Sequence, residues 1–169
     1  MDIITEYKIH SQTISMVPNF HPIYQTKIIE EENTYFTEEK MDSILNRSCM
    51  DYGASITGRR EAIINKTNYV QKTPILISET LKLIAFPTHS PDNMNCSWFM
   101  YHQIKRITPI DKNRCEIVMH NAMKIEVEVS YQALLQQIHK SAVIFSLFCT
   151  EQTINFSFEV KGRSKRPTR

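Results

Sequence analysis

Over the first 36 residues the apolar positions fall in short runs separated by turn residues. Residues 7–9, 13–17, 24–29 and 34–36 read as β-prone segments, stopped by Pro18, Pro22 and the polar stretch Glu30-Glu31-Glu32-Asn33. That acidic stretch is expected to be a solvated edge. The period then changes. Met41, Ile44, Leu45, Cys49 and Tyr52 follow helical spacing, so a helix is predicted, with Thr37 as its N-cap, Glu38 and Glu39 in its first turn and Gly53 just past its end. Residues 61–70 fit either a second short helix or the start of a strand. Residues 74–78 and 81–86 read as two strands joined at Glu79-Thr80, followed by a loop over 87–95.

Residues 97–107 read as one strand with Trp98, Met100, His102 and Ile104 on one face. Residues 115–120 and 123–129 alternate well and predict a hairpin across Asn121-Ala122. Ser130 caps a long helix, with Tyr131, Leu134, Leu135, Ile138, Ala142 and Phe145 on one face. Val143, Leu147 and Phe148 make the end of that helix apolar nearly all round. It must lie in the core or against a second subunit, which makes Phe145, Leu147 and Phe148 the candidate dimer interface. Ile154, Phe156, Phe158 and Val160 alternate with Asn155, Ser157 and Glu159, the pattern of a half-buried strand. The fold class is α+β: a mainly antiparallel sheet with one central helix and one long C-terminal helix. A single domain over residues 1–160 is expected, followed by a basic tail over 161–169.

Charge changes the picture locally. The 169 residues carry a formal net charge of +2. Lys161, Arg163, Lys165, Arg166 and Arg169 have no acid among them. Removing those five from 20 basic side chains leaves 15 against 18 acidic ones, a net of −3 for residues 1–160. A nucleic-acid surface on the body must therefore be local. Residues 47–72 and residues 105–124 each carry a net of +3, the second through Lys105, Arg106, Lys112, Arg114 and Lys124. The tail could add nonspecific phosphate contacts, or serve only solubility.

Enzyme chemistry finds little support. No nucleophile elbow or P-loop is present, and Cys96 with His102 has no fixed spacing behind it. Cys49, Cys96, Cys115 and Cys149 are scattered, without a CxxC, and read as reduced core thiols; no metal site and no cofactor are expected. No apolar run approaches the roughly 18 residues of a membrane span, and the N-terminus lacks a basic leader, so a cytosolic protein without a membrane partner is expected.

The densest chemistry lies in residues 47–60. The chain has three glycines, and Gly53 and Gly58 sit here among Arg47, Arg59, Arg60, Ser48, Ser55 and Thr57. Guanidinium groups, small hydroxyls and freed backbone N–H groups are the usual partners of phosphate oxygens. The alternative is a helix end followed by a solvated basic turn. No helix-turn-helix is legible, because the second helix is uncertain.

Arg47-Ser48-Cys49 with Gly53 and Gly58-Arg59-Arg60 resembles the signature of the ComK-type competence transcription factors of Gram-positive bacteria. Thr73-Pro74-Ile75 followed by Leu83-Ile84-Ala85-Phe86-Pro87-Thr88, then Cys96-Ser97-Trp98 and Ser130-Tyr131, continue the resemblance in order over residues 27–148. The resemblance implies an activator of DNA-uptake genes that reads paired AT-rich boxes of double-stranded DNA, largely through the minor groove. It implies a homodimer or dimer of dimers, contact with RNA polymerase, and a place on the bacterial nucleoid. Arg47, Ser48, Ser55, Thr57, Gly58, Arg59 and Arg60, with Lys105 and Arg106, are the expected DNA-contacting residues. The other function class is an interaction protein of the same fold that oligomerises without binding DNA. Well-known members carry a longer C-terminal extension with an aromatic-Leu-Tyr-Pro-Lys motif that an adaptor of the Clp protease captures. Residues 149–169 do not reproduce that motif, so this partner is not expected.

Overall fold

The computed structural model describes residues 1–150 and 154–162. Four strands come first: β1 (Asp2–Ile3), β2 (Thr13–Pro18), β3 (Thr26–Glu30) and β4 (Thr34–Thr37). Helices α1 (Met41–Asp51) and α2 (Ile56–Thr67) follow, then β5 (Ile75–Ser78), β6 (Leu83–Pro87) and β7 (Trp98–Met100). A 3-10 turn (Tyr101–Gln103) leads into β8 (Ile104–Asp111), β9 (Arg114–Met119), β10 (Lys124–Val127) and α3 (Tyr131–Phe148). The α+β class holds, with mainly antiparallel sheets and a long C-terminal helix.

β1-β4-β3-β2-β7-β6-β5 form a seven-stranded sheet, antiparallel except for β1 beside β4, and β10-β9-β8 form a second sheet of three. Both faces of the large sheet are covered. Met16, Ile28, Ile75, Ile77, Leu83, Ala85, Trp98 and Met100 pack on Ile44, Leu45 and Cys49 of α1 and on Tyr7 and Ile9. On the other face Ile14, Ile29, Phe86 and Phe99 meet Cys115, Ile117, Met119 and Val127 of the small sheet and Leu134 of α3. A third cluster, Ile63, Leu76, Ile84, Ile144 and Cys149, joins α2 and the end of α3 to β5 and β6. Covering on both faces explains why β5, β6 and β7 read as apolar runs rather than alternations: every residue of the three is buried.

Several expectations are corrected. Thr37 is the last residue of β4, paired with Thr26, and α1 starts after Lys40, which makes no side-chain cap; Asp42 is the acid of its first turn. Glu30 is buried rather than solvated. Its carboxylate accepts from the Tyr7 hydroxyl at 2.7 Å and from His10 Nε2 at 2.7 Å, while Glu31 and Glu32 stay exposed. The segment 97–107 is not one strand. The 3-10 turn breaks it, passing the chain from the large sheet to the small one, and His102 is exposed with Nε2 at 2.7 Å from the Ser11 carbonyl. Residues 61–67 are helical. The ambiguity arose because Ile63 is the one buried residue of α2, so its apolar stripe is faint.

The hairpin between β9 and β10 forms with a three-residue loop. The Met119 carbonyl accepts from Ala122 N at 3.0 Å, Met119 N donates to the Met123 carbonyl at 2.8 Å, and Ala122 holds φ +71°. That is a turn with a left-handed third residue rather than a two-residue type I′ loop. α3 is capped by Ser130, whose hydroxyl accepts from Ala133 N at 3.2 Å. Its buried face is Leu134, Gln137, Ser141 and Ile144. Two polar residues sit inward because Gln137 Nε2 donates to the carbonyls of Lys72 and Pro87, and Ser141 Oγ to that of Gln137. Val143, Phe145 and Leu147 are thereby turned outward, 38–49% exposed, while Phe148 packs on the third cluster. Residues 154–160 form no strand, and Ile154, Phe156, Phe158 and Val160 are all 80–88% exposed. No helix of the described residues is long and apolar enough to cross a membrane.

Candidate nucleic-acid interface

The α1 end is built by its own sequence. Gly53, at φ +112°, stands just past the helix, where a left-handed residue is needed. Its N–H donates to the Met50 carbonyl and that of Ala54 to the Cys49 carbonyl, both at 3.1 Å, so two orphan carbonyls are satisfied. Ser55 then caps α2, its hydroxyl accepting from Gly58 N at 3.0 Å. Ile56 N donates to Asn46 Oδ1, tying the two helix ends together. Residues 47–60 are therefore a helix end, a four-residue turn and the first turns of a second helix, rather than a helix and a loop.

The motif residues divide by direction. Ser48 is fully buried. It accepts from Ile9 N at 2.9 Å and donates to the Ile44 carbonyl at 2.7 Å, so it has no hydroxyl left for an external phosphate, and the expected DNA contact is corrected to a fastening one. Tyr52 donates to the Ile9 carbonyl at 2.9 Å. Arg47 donates to the Tyr7 carbonyl at 3.2 Å and forms a tight ion pair with Glu39, whose second oxygen accepts from Tyr7 N at 3.0 Å. The Glu39 carboxylate holds the Arg47 guanidinium above its ordinary pKa. Arg59 is 12% exposed, pairs with Glu79 at 3.0 Å and leaves its buried Nε without a partner.

Thr57 and Gly58 are exposed, and Arg60 is half-buried with no ion pair or hydrogen bond among the described residues. Arg60 and Lys72 line a cleft of about 440 Å³ with Ile56, Val70, Thr73 and Pro91, facing Asp42 and Asp92. Lys66 adds charge on the last turn of α2.

The second basic group lies on the small sheet. A bulge between Ile104 and Arg106, opposite Met119 and Val118, gives Lys105 no strand partner. Lys105 and Arg106 are both exposed, as a bulge re-aims adjacent side chains. Arg106, Val118 and Lys124 stand in one row across the three strands. Lys105, Arg106 and Lys124 make no ion pair among the described residues. Arg114 differs, bonded to Asp111 at 2.7 Å and to Glu126 at 2.6 Å.

Glu39 and Glu79 were missed from sequence. Each sets the direction of an arginine eight or 20 residues away, and no motif marks them. The four cysteines are buried and free. Burial pushes the Cys49 thiol up to about 11, with Arg59 and Arg60 pulling weakly the other way. Among the described residues no group of His, Cys, Asp and Glu could hold a metal.

Comparison with known proteins bears on this site. The family described as ComK protein matches residues 4–153. The competence transcription factor of Bacillus subtilis (strain 168) is 25% identical over 146 residues, covering 86% of this chain and 76% of that protein. No solved structure matches the chain.

Proposed function

The chain belongs to the ComK protein family, and from that premise we propose that it is a competence transcription factor, a bacterial activator that binds double-stranded DNA. The observation that carries the DNA reading is the set of unpaired cations on ordered elements: Arg60 at the start of α2, and Lys105 and Arg106 at the bulge. Unpaired guanidinium and ammonium groups on a rigid scaffold meet phosphates without first breaking an internal pair. Ser55, Thr57 and Gly58 bring the α2 N-terminus to the surface beside Arg60, where small residues let a backbone approach closely.

The target is a pair of AT-rich boxes read through the minor groove. Such tracts narrow that groove and deepen its negative potential, which favours an inserted arginine. Arg60 and Arg106 are the inserted groups. Arg47 and Arg59 act from behind, holding the N-terminal segment and the turn in place. Two boxes call for two subunits, and the exposed Val143, Phe145 and Leu147 at the end of α3 supply an apolar contact between copies, with Phe148 behind them.

Electrophoretic mobility shift on paired AT-rich and GC-rich duplexes of equal length tests the reading. Preference for the AT-rich pair and a steep fall of affinity with salt are expected. Equal, salt-insensitive binding to both would remove it.

A further inference from the structure

The segment 154–160 carries four large apolar side chains on alternate positions, all 80% exposed or more, and makes no hydrogen bond to the other described residues. Elsewhere the fold offers a place of matching shape. β10 is an edge strand of the small sheet. Along it runs a groove of about 540 Å³, lined by the β10 edge from Met123 to Val127 on one wall and by Val17, Ile29 and Thr34 on the other, with Lys27 and Ser97 beside them. An edge strand presents a row of unpaired N–H and C=O groups, a ready template for another strand.

We propose that residues 154–160 of one copy add to β10 of a second copy as an antiparallel strand. Direction and register both follow from charge. The Asn121 side chain donates to the Glu31 carbonyl, so the N-terminal end of β10 lies beside the acidic tip Glu31-Glu32. An antiparallel strand ends there, and the residues that follow it are the basic 161–169. Ile125 and Val127 face the core while Lys124 and Glu126 face out. Setting Phe158 opposite Ile125 puts Phe156 opposite Val127 and all four apolar side chains into the groove. The same register sets Glu159 opposite Lys124, an opposite-charge cross-strand pair, and Ser157 opposite Glu126.

Reach selects a second copy over the chain's own groove. α3 begins just after β10 and runs 18 residues, about 27 Å, onto β5 and β6. The groove is walled by β3 and β4, toward the other end of the seven-stranded sheet. From Cys149 to Ile154 the chain spans at most about 17 Å, so the strand falls short of its own β10.

The test uses the full chain. Ser157→Cys and Glu126→Cys are made in separate chains, where the native thiols are buried and do not compete. Mixing the two under mild oxidation should give a disulfide-linked heterodimer that neither variant forms alone. Phe158→Asp, at an exposed position that leaves the fold intact, should lower its yield and weaken self-association in sedimentation by at least about tenfold. No cross-link in the mixture, or unchanged sedimentation of Phe158→Asp, overturns the proposal.

Discussion

On α1 and its C-cap, Arg47, Ser48 and Tyr52 point at the N-terminal segment and bond Tyr7 and Ile9; on α2, Thr57, Gly58 and Arg60 point away from it and bond nothing among the described residues beyond the helix's own backbone and cap. Both halves hold an arginine and a hydroxyl beside a glycine. The difference is that the first half faces a chain segment without strand partners, and its polar groups are consumed there. Residues 6–10 lie outside any sheet, yet Tyr7 and Ile9 are buried. Their backbone groups need partners, and buried groups that lack them are costly. α1 supplies those partners as side chains. Residue type therefore marks a polar surface, and only the fold says whether it faces inward or outward.

The largest expected effect breaks the comparison on the outward side. Arg60→Ala should lower DNA affinity by about tenfold to a hundredfold, as loss of an arginine contact does. The urea midpoint of the protein should stay where it was, because Arg60 has no internal partner. A variant that binds as before, or that loses affinity only in step with stability, would place Arg60 with the inward group.

On the inward side Ser48→Ala should do the reverse. It leaves the buried Ile9 N–H without its acceptor at 2.9 Å, a loss of about 1–3 kcal/mol in urea unfolding. DNA affinity measured well below the unfolding midpoint should be nearly unchanged. Unaltered stability would mean that the N-terminal segment is held by its packing alone.

The same contrast marks what was legible in the sequence. The α1 stripe, the Gly53 turn, the Ser130 cap and the β9–β10 hairpin are local patterns of a few residues, and each formed. The inward role of Ser48 and Arg47 is not legible, because Ile9 and Tyr7 lie 39 and 40 residues away on a stretch without secondary structure and no motif marks Glu39 as the ion-pair partner. The burial of Glu30 is hidden for the same reason, since Tyr7 reaches it across 23 residues. α2 is ambiguous in sequence because one buried isoleucine makes too narrow a stripe for periodicity to detect. The alternation of residues 154–160 reads as a half-buried strand, yet the structure has neither strand nor burial there, because a strand also needs a neighbour and the pattern does not say where that neighbour lies.

The smallest expected effect sharpens the comparison from inside α1. Cys49 follows Ser48 and is fully buried among Ile44, Leu45 and Ile9. Burial raises its thiol from an ordinary 9.0 to about 11, because the apolar surroundings penalise the thiolate. The unfolded chain then loses this proton at lower pH than the folded one. Cys49 contributes its full share to stability below pH 9, and that share declines as pH rises through the interval to about 11. The thiolate is also the reactive species, so Cys49 in the folded protein should alkylate far more slowly at pH 8 than a free thiol. Its rate should track opening of the α1 end. Ser48→Ala loosens the segment over Cys49 and should raise that rate, whereas Arg60→Ala, acting outward, should not. Mass spectrometry of iodoacetamide adducts at Cys49 in the three proteins measures this directly. Equal rates in the wild type and Ser48→Ala would show that α1 stays closed without its fastener, and the two halves of the motif would then differ in direction but not in what they stabilise.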